Sequence, residues 1–116
     1  VIYLKEVGGE RTFPIVIGIA EASSIDRRVK NFKTSRPLTH DLICLIVNTL
    51  GAELDSVLIS DVDGHTFYAR LRMRKDGEIV EVDSRPSDAI AVAVSCDPPL
   101  SIYVEEKVLE DAIAEA

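Results

Sequence analysis

The chain has 116 residues, 47% of them apolar and 28% charged, with 20 acidic against 13 basic side chains and a formal net charge of −7. That length suits one domain, expected over 1–116, and the composition is that of a folded globule rather than a disordered tail. No apolar run approaches the ~20 residues that cross a bilayer, and no charged head with an apolar stretch behind it reads as a signal peptide, so a soluble cytoplasmic protein with no membrane partner is expected. The acidic balance argues against attachment to nucleic acid through the overall field; such chemistry would need a local basic patch or bound cations.

The chain opens with VIYLKEV, a Gly8-Gly9 turn and ERTFPIVIG, the pattern of a hairpin with a two-residue loop. Pairing outward from that turn sets Glu6 against Arg11 and Leu4 against Phe13. Pro14 cannot donate to a ladder, so its strand is expected at an edge or a bulge. From Ala20 to Phe32 the spacing turns helical, with Ala22, Ile25 and Val29 on one stripe. After the basic stretch FKTSRP, a helix is predicted from about Thr39 to Leu50. Leu42, Ile43, Leu45, Ile46, Val47 and Leu50 cover most of its circumference, so it is expected to be the buried helix, ended by Gly51.

Three strands follow, LDSVLISDV, TFYARLRMR and EIVEVDS, with turns at Asp63-Gly64 and Asp76-Gly77. The middle one alternates, sending Phe67, Ala69, Leu71 and Met73 one way and Tyr68, Arg70, Arg72 and Arg74 the other. A helix at AIAVAV, a short strand LSIYV and an acidic amphipathic helix from about Glu105 complete the order ββααβββαβα. The expected class is α+β, two layers, with a mostly antiparallel or mixed sheet.

Four constellations could carry chemistry. The tripeptide Ser-Arg-Pro occurs twice, in SRPLTHDLI at 35–43 and SRPSDAI at 84–90. Each proline keeps the arginine before it out of the helical region, and Thr39 and Ser87 are candidate N-caps. Asp41 and Asp88 fall in first turns, where the helix dipole favours negative charge. A cation gains nothing there, so Arg36 and Arg85 form structural ion pairs or grip phosphate by bidentate bonds. His40, beside Asp41, is either structural or a general acid or base, whereas His65 reads as a solvated turn residue.

The stripe of Tyr68, Arg70, Arg72 and Arg74 resembles a stacking and phosphate-binding platform. Pairing outward from Asp76-Gly77 sets Arg72 opposite Glu81 and Arg70 opposite Asp83, which would leave only Arg74, opposite Ile79, for a ligand. Glu21, Asp41, Asp83 and Asp88 are carboxylates at element ends, the donors that Mg²⁺ wants if they converge and capping or solvated groups if they do not. Cys44 and Cys96 lie in or beside apolar runs with no CxxC frame, the setting of buried thiols in a reducing compartment, with a disulfide or metal role as the alternative. P-loop, GxSxG, GxGxxG, HExxH, EF-hand and zinc-finger spacings do not occur.

FPIVIGIAEASSI, RPLTHDLI with LGAELDSVLI, FYARLRM, VDSRPSDAIAVAV and SIYVEEKVL occur in this order over nearly the whole chain, and together they resemble the bifunctional nuclease domain family. The resemblance implies an α+β fold, a homo-oligomer and hydrolysis of both DNA and RNA. It draws attention to Glu21, Arg36, Thr39, His40, Asp41, Asp83, Arg85, Ser87 and Asp88 without assigning roles. The roles expected on residue chemistry are His40, Asp41, Asp88 and Glu21 as catalytic groups and Arg36, Arg85, Thr39 and Ser87 as substrate contacts. Glu21, Asp41, Asp83 and Asp88 would hold Mg²⁺ or Mn²⁺. The alternative is a non-catalytic oligomeric module that binds a partner protein or an anionic ligand, with both Ser-Arg-Pro segments serving as helix starts. A nucleic-acid binder without chemistry would need the Tyr68 to Arg74 face open.

Overall fold

The hairpin forms where the Gly8-Gly9 turn directs it. In the computed structural model, which describes residues 1–30 and 35–115 without the side chains at 20, 21, 28 and 115, strand β1 (Ile2–Lys5) pairs antiparallel with β2 (Thr12–Ile15) and Leu4 faces Phe13. The Glu6 N–H donates to the Arg11 carbonyl at 2.9 Å, and the Arg11 guanidinium bridges the carboxylates of Glu6 and Glu106. Among the described residues β2 has no other strand partner, which fits Pro14.

Helix α1 spans Ile19–Val29. The predicted helix ran on to Phe32, which lies outside the described residues. Helix α2 (Thr39–Thr49) stops at Gly51, whose φ of +81° suits a residue without a Cβ. Strands β3 (Glu53–Asp63), β4 (Thr66–Lys75) and β5 (Glu78–Ser84) form the antiparallel meander. After helix α3 (Pro86–Ser95), strand β6 (Ser101–Val104) joins parallel to β3, giving the order β5-β4-β3-β6, and helix α4 (Glu106–Glu115) closes the fold. The β4–β5 turn has positive φ at both Asp76 (51°) and Gly77 (78°), the I′ geometry that matches strand twist. It sets Arg70 opposite Asp83, Arg72 opposite Glu81 and Arg74 opposite Ile79, as the sequence predicted. The β3–β4 turn falls one residue later than expected: Asp63 pairs with Thr66, leaving Gly64 and exposed His65 as the loop.

One face of the sheet carries the core. Val57, Ile59, Ala69 and Leu71 pack against Ala89, Val92 and Ala93 of α3 and Val108 of α4. Phe13, Ile15, Ile90, Leu109 and Ala112 form a second cluster that seats the hairpin, with the rings of Phe13 and Phe67 stacked 5.5 Å apart. The buried helix is therefore α3, in which Pro86, Ser87 and residues 89–93 are all buried, and not α2 as the apolar coverage suggested. Alanines at 89 and 93 bring the α3 backbone close to the sheet, whereas α2 reaches the same cluster only at its edge, through the partly buried Ile43 and Cys44. Only His40 and Val47 of α2 are fully buried, while Leu42, Leu45, Ile46 and the C-capping Leu50 are between 47 and 68% exposed.

Candidate functional site

The two Ser-Arg-Pro segments start their helices differently. In the second, Pro86 is itself the first helical residue, where its missing N–H and fixed φ cost nothing, so Arg85 takes the N-cap. In the first, the helix starts two residues after Pro37, Leu38 is the N-cap and Thr39 is the first helical residue. Neither N-cap makes a side-chain capping bond, so Thr39 and Ser87 do not cap as expected. The proline sets the register, and each hydroxyl falls one or two positions inside the helix.

That register puts Asp41 and Asp88 at the same third position of their helices, with different partners. Asp41 Oδ2 accepts the Leu38 N–H at 3.1 Å and so closes its own helix end. Asp88 reaches out of its helix. Its Oδ1 lies 3.1 Å from His40 Nε2, and its Oδ2 accepts Arg85 Nε at 2.9 Å and Nη2 at 2.8 Å. Residues 48 apart in sequence thus meet, one from each segment.

His40 is 6% exposed, and its Nδ1 lies 3.1 Å from Ser24 Oγ of α1. Burial raises the Asp88 pKa, but the hydrogen bonds from His40 and Arg85, with their charges, outweigh it and hold the carboxyl below its ordinary range. An ionised carboxylate only accepts, so the proton sits on Nε2, and in the neutral imidazole Nδ1 accepts from the Ser24 hydroxyl. The chain Ser24–His40–Asp88–Arg85 runs from α1 through α2 and α3 to the surface, where the Arg85 side chain is 68% exposed and that of Asp88 32%. Ser24 was not a sequence candidate; a serine within a helix carries no local sign of a partner 16 residues away.

The other candidates are more scattered. Arg36 and Thr39 lie on the surface at the start of α2, and Ser87 is buried. Asp83 lies exposed on β5, opposite Arg70. Glu21 belongs to α1, but its side chain is outside the described residues. Among the described residues, no three His, Cys, Asp or Glu side chains group as a cation site. Asp41 is engaged by a backbone N–H and Asp88 by His40 and Arg85, so the described donors do not fit Mg²⁺ or Mn²⁺ by themselves.

On the solvent face of the sheet, Glu81 lies 3.5 Å from Arg70 and 3.3 Å from Arg72, and Arg74 pairs with Asp55 at 3.0 Å. The expectation that Arg74 would be left over is thus corrected. Hairpin pairing sees only β5, whereas Asp55 comes from β3, at the irregularity between Leu54 and Ser56. A cleft of about 680 Å³ opens between the hairpin and β6, lined by Leu4, Phe13, Ile102, Val104 and Leu109 among others, and contains none of the site residues.

The family model for the bifunctional nuclease domain matches residues 2–116. The chain belongs to the bifunctional nuclease domain family. This bifunctional nuclease domain is 42% identical over 112 residues to an uncharacterized protein of Mycobacterium tuberculosis, covering 97% of the chain and 65% of that relative. It is 24% identical over 105 residues to bifunctional nuclease 1 of rice, Oryza sativa subsp. japonica, and 27% identical over 105 residues to bifunctional nuclease 1 of Arabidopsis thaliana. Each plant match covers 88% of this chain and 32% of the relative. The domain thus spans about two thirds of its mycobacterial relative and a third of the plant nucleases.

Proposed function

We propose that this domain hydrolyses phosphodiester bonds of DNA and RNA in the cytoplasm, at the site where His40 meets Asp88 and Arg85. The observation that carries the reading is the His40–Asp88 hydrogen bond, which joins the two Ser-Arg-Pro segments and leaves a carboxylate and a guanidinium at the surface. The names of the plant relatives supply the reaction class. Asp88 would hold the attacking water and Arg85, with Arg36, the phosphate; a planar guanidinium matches phosphate oxygens in pairs. As water attacks phosphorus, the P–O bond to the leaving sugar oxygen breaks, and Asp88, held in place by His40, takes the water's proton and passes it on to that oxygen. Ser24 would keep the imidazole in the required tautomer. No step is assigned to a metal ion, whose part is read from the same assay with and without EDTA.

Purified protein is assayed on single- and double-stranded DNA and RNA with Mg²⁺, with Mn²⁺ and with EDTA. His40→Ala and Asp88→Asn are expected to lower the rate by about a hundredfold or more while the fold persists. Activity unchanged in both folded variants would overturn the assignment. The burial of His40 favours a second reading, in which the network only ties three helices together in a non-catalytic oligomeric module. In that case both variants lose stability, and the wild-type protein shows no cleavage above a mock preparation.

The proposal includes self-association through α2. Leu42, Leu45 and Ile46 recur at helical spacing on its outer side, and a second copy of the same helix would cover them.

A further inference from the structure

We propose that Cys44 and Cys96 form a dithiol site that hydroperoxides oxidise to an intramolecular disulfide, clamping α2 to α3. This stands whether or not the domain cleaves nucleic acid. The two sulfurs lie 3.7 Å apart although 52 residues separate them, one in the middle of α2 and the other at the C-cap of α3. Both face the same acceptor, the Val92 carbonyl, at 4.0 Å from Cys44 and 3.4 Å from Cys96. A disulfide is about 2.05 Å long, so the sulfurs need to close by less than ~2 Å. Cys96 can supply that movement, because its backbone has left the helix (ψ 155°) and its side chain is not held against a following turn. Both residues are only partly buried, which lets a small peroxide reach them.

The packing of the two helices explains the juxtaposition. His40 meets Asp88 and Cys44 meets Val92, each pair 48 residues apart, so α2 and α3 run side by side in the same direction. Cys44 lies one turn beyond His40, and Cys96 two turns beyond Asp88, on the seam that positions the site.

The chemistry balances with one peroxide. A thiolate attacks one peroxide oxygen, forming an S–O bond as the O–O bond breaks, and one molecule of water or alcohol leaves with the thiol proton. The second thiolate then attacks that sulfur, the S–S bond forms, the S–O bond breaks, and water leaves. The two sulfurs give up two electrons and the peroxide takes them.

The test uses the full chain, freed of reductant and treated with stoichiometric hydrogen peroxide. The intact mass is expected to fall by about 2 Da, with no thiol left to alkylate and a Cys44–Cys96 cross-linked peptide after digestion. The Tm should rise by on the order of 10 °C and return with dithiothreitol, since the cross-link restricts the unfolded chain. In Cys44→Ser and Cys96→Ser the 2 Da loss disappears, and the remaining sulfenic acid is trapped by dimedone. Mass gains of about 32 Da without the 2 Da loss, or disulfide-linked dimers as the main product, would overturn the proposal. Mass spectrometry of the wild-type protein decides the matter even where a variant fails to fold.

Discussion

Asp41 and Asp88 occupy equivalent helix positions and do different work. The Asp41 carboxylate satisfies a backbone N–H of its own helix end, so Asp41→Ala is expected to cost about 1 kcal/mol of stability, measured by urea unfolding, with the His40–Asp88 pair and any activity retained. Asp88 spans two helices, and Asp88→Asn should remove its ion pair with Arg85 without changing side-chain volume. Because the folded carboxyl titrates below its ordinary range, folding favours the ionised form. Its contribution is present above the unfolded value of about 3.9 and is lost as pH falls through the lower folded value. The gap in Tm between wild type and Asp88→Asn should therefore persist above about pH 4 and close below it; a gap that widened in acid would reverse the assigned shift. At this scale the sequence pointed to His40, Asp88 and Arg85 by residue type and helix position. It could not point to Ser24, whose role depends on how α1 docks, nor separate Asp41 from Asp88.

Among the elements, α3 takes the buried place that the apolar coverage of α2 suggested for α2. Both are apolar around most of their circumference, and the deciding property is side-chain size: the alanines of α3 let it lie close to Val57, Ile59, Ala69 and Leu71. Ala93, fully buried in that cluster, is accordingly a site where bulk is not tolerated, and Ala93→Leu is expected to destabilise the domain by about 1–3 kcal/mol or more in chemical denaturation. The strands were legible almost to the residue, because two-residue alternation and the Asp76-Gly77 turn together fix the pairing of β4 with β5. Arg74 escaped that logic. Its partner Asp55 lies on the other neighbouring strand, at an irregularity no hairpin count reveals.

For the whole molecule, the outer stripe of α2 is one of the apolar faces that the single chain leaves uncovered. Light scattering coupled to size exclusion is expected to give a homo-oligomer, and Leu45→Glu with Ile46→Glu to give a monomer of unchanged Tm. A wild-type monomer at micromolar concentration would remove α2 as a self-association surface. Among the described residues no helix is long and apolar enough to cross a membrane. The strand and helix order, the registers of the β1–β2 and β4–β5 hairpins, the family and the two segments worth inspecting were all determined by sequence alone, because periodicity, turn residues and prolines act over a few neighbours. The tertiary structure decided which helix is buried, which aspartate closes a helix and which meets a histidine, and that two cysteines 52 residues apart lie side by side. Apart from the local Asp41 bond, each of those depends on contacts between distant segments, which are set by how volumes fit across the core and not by any local pattern.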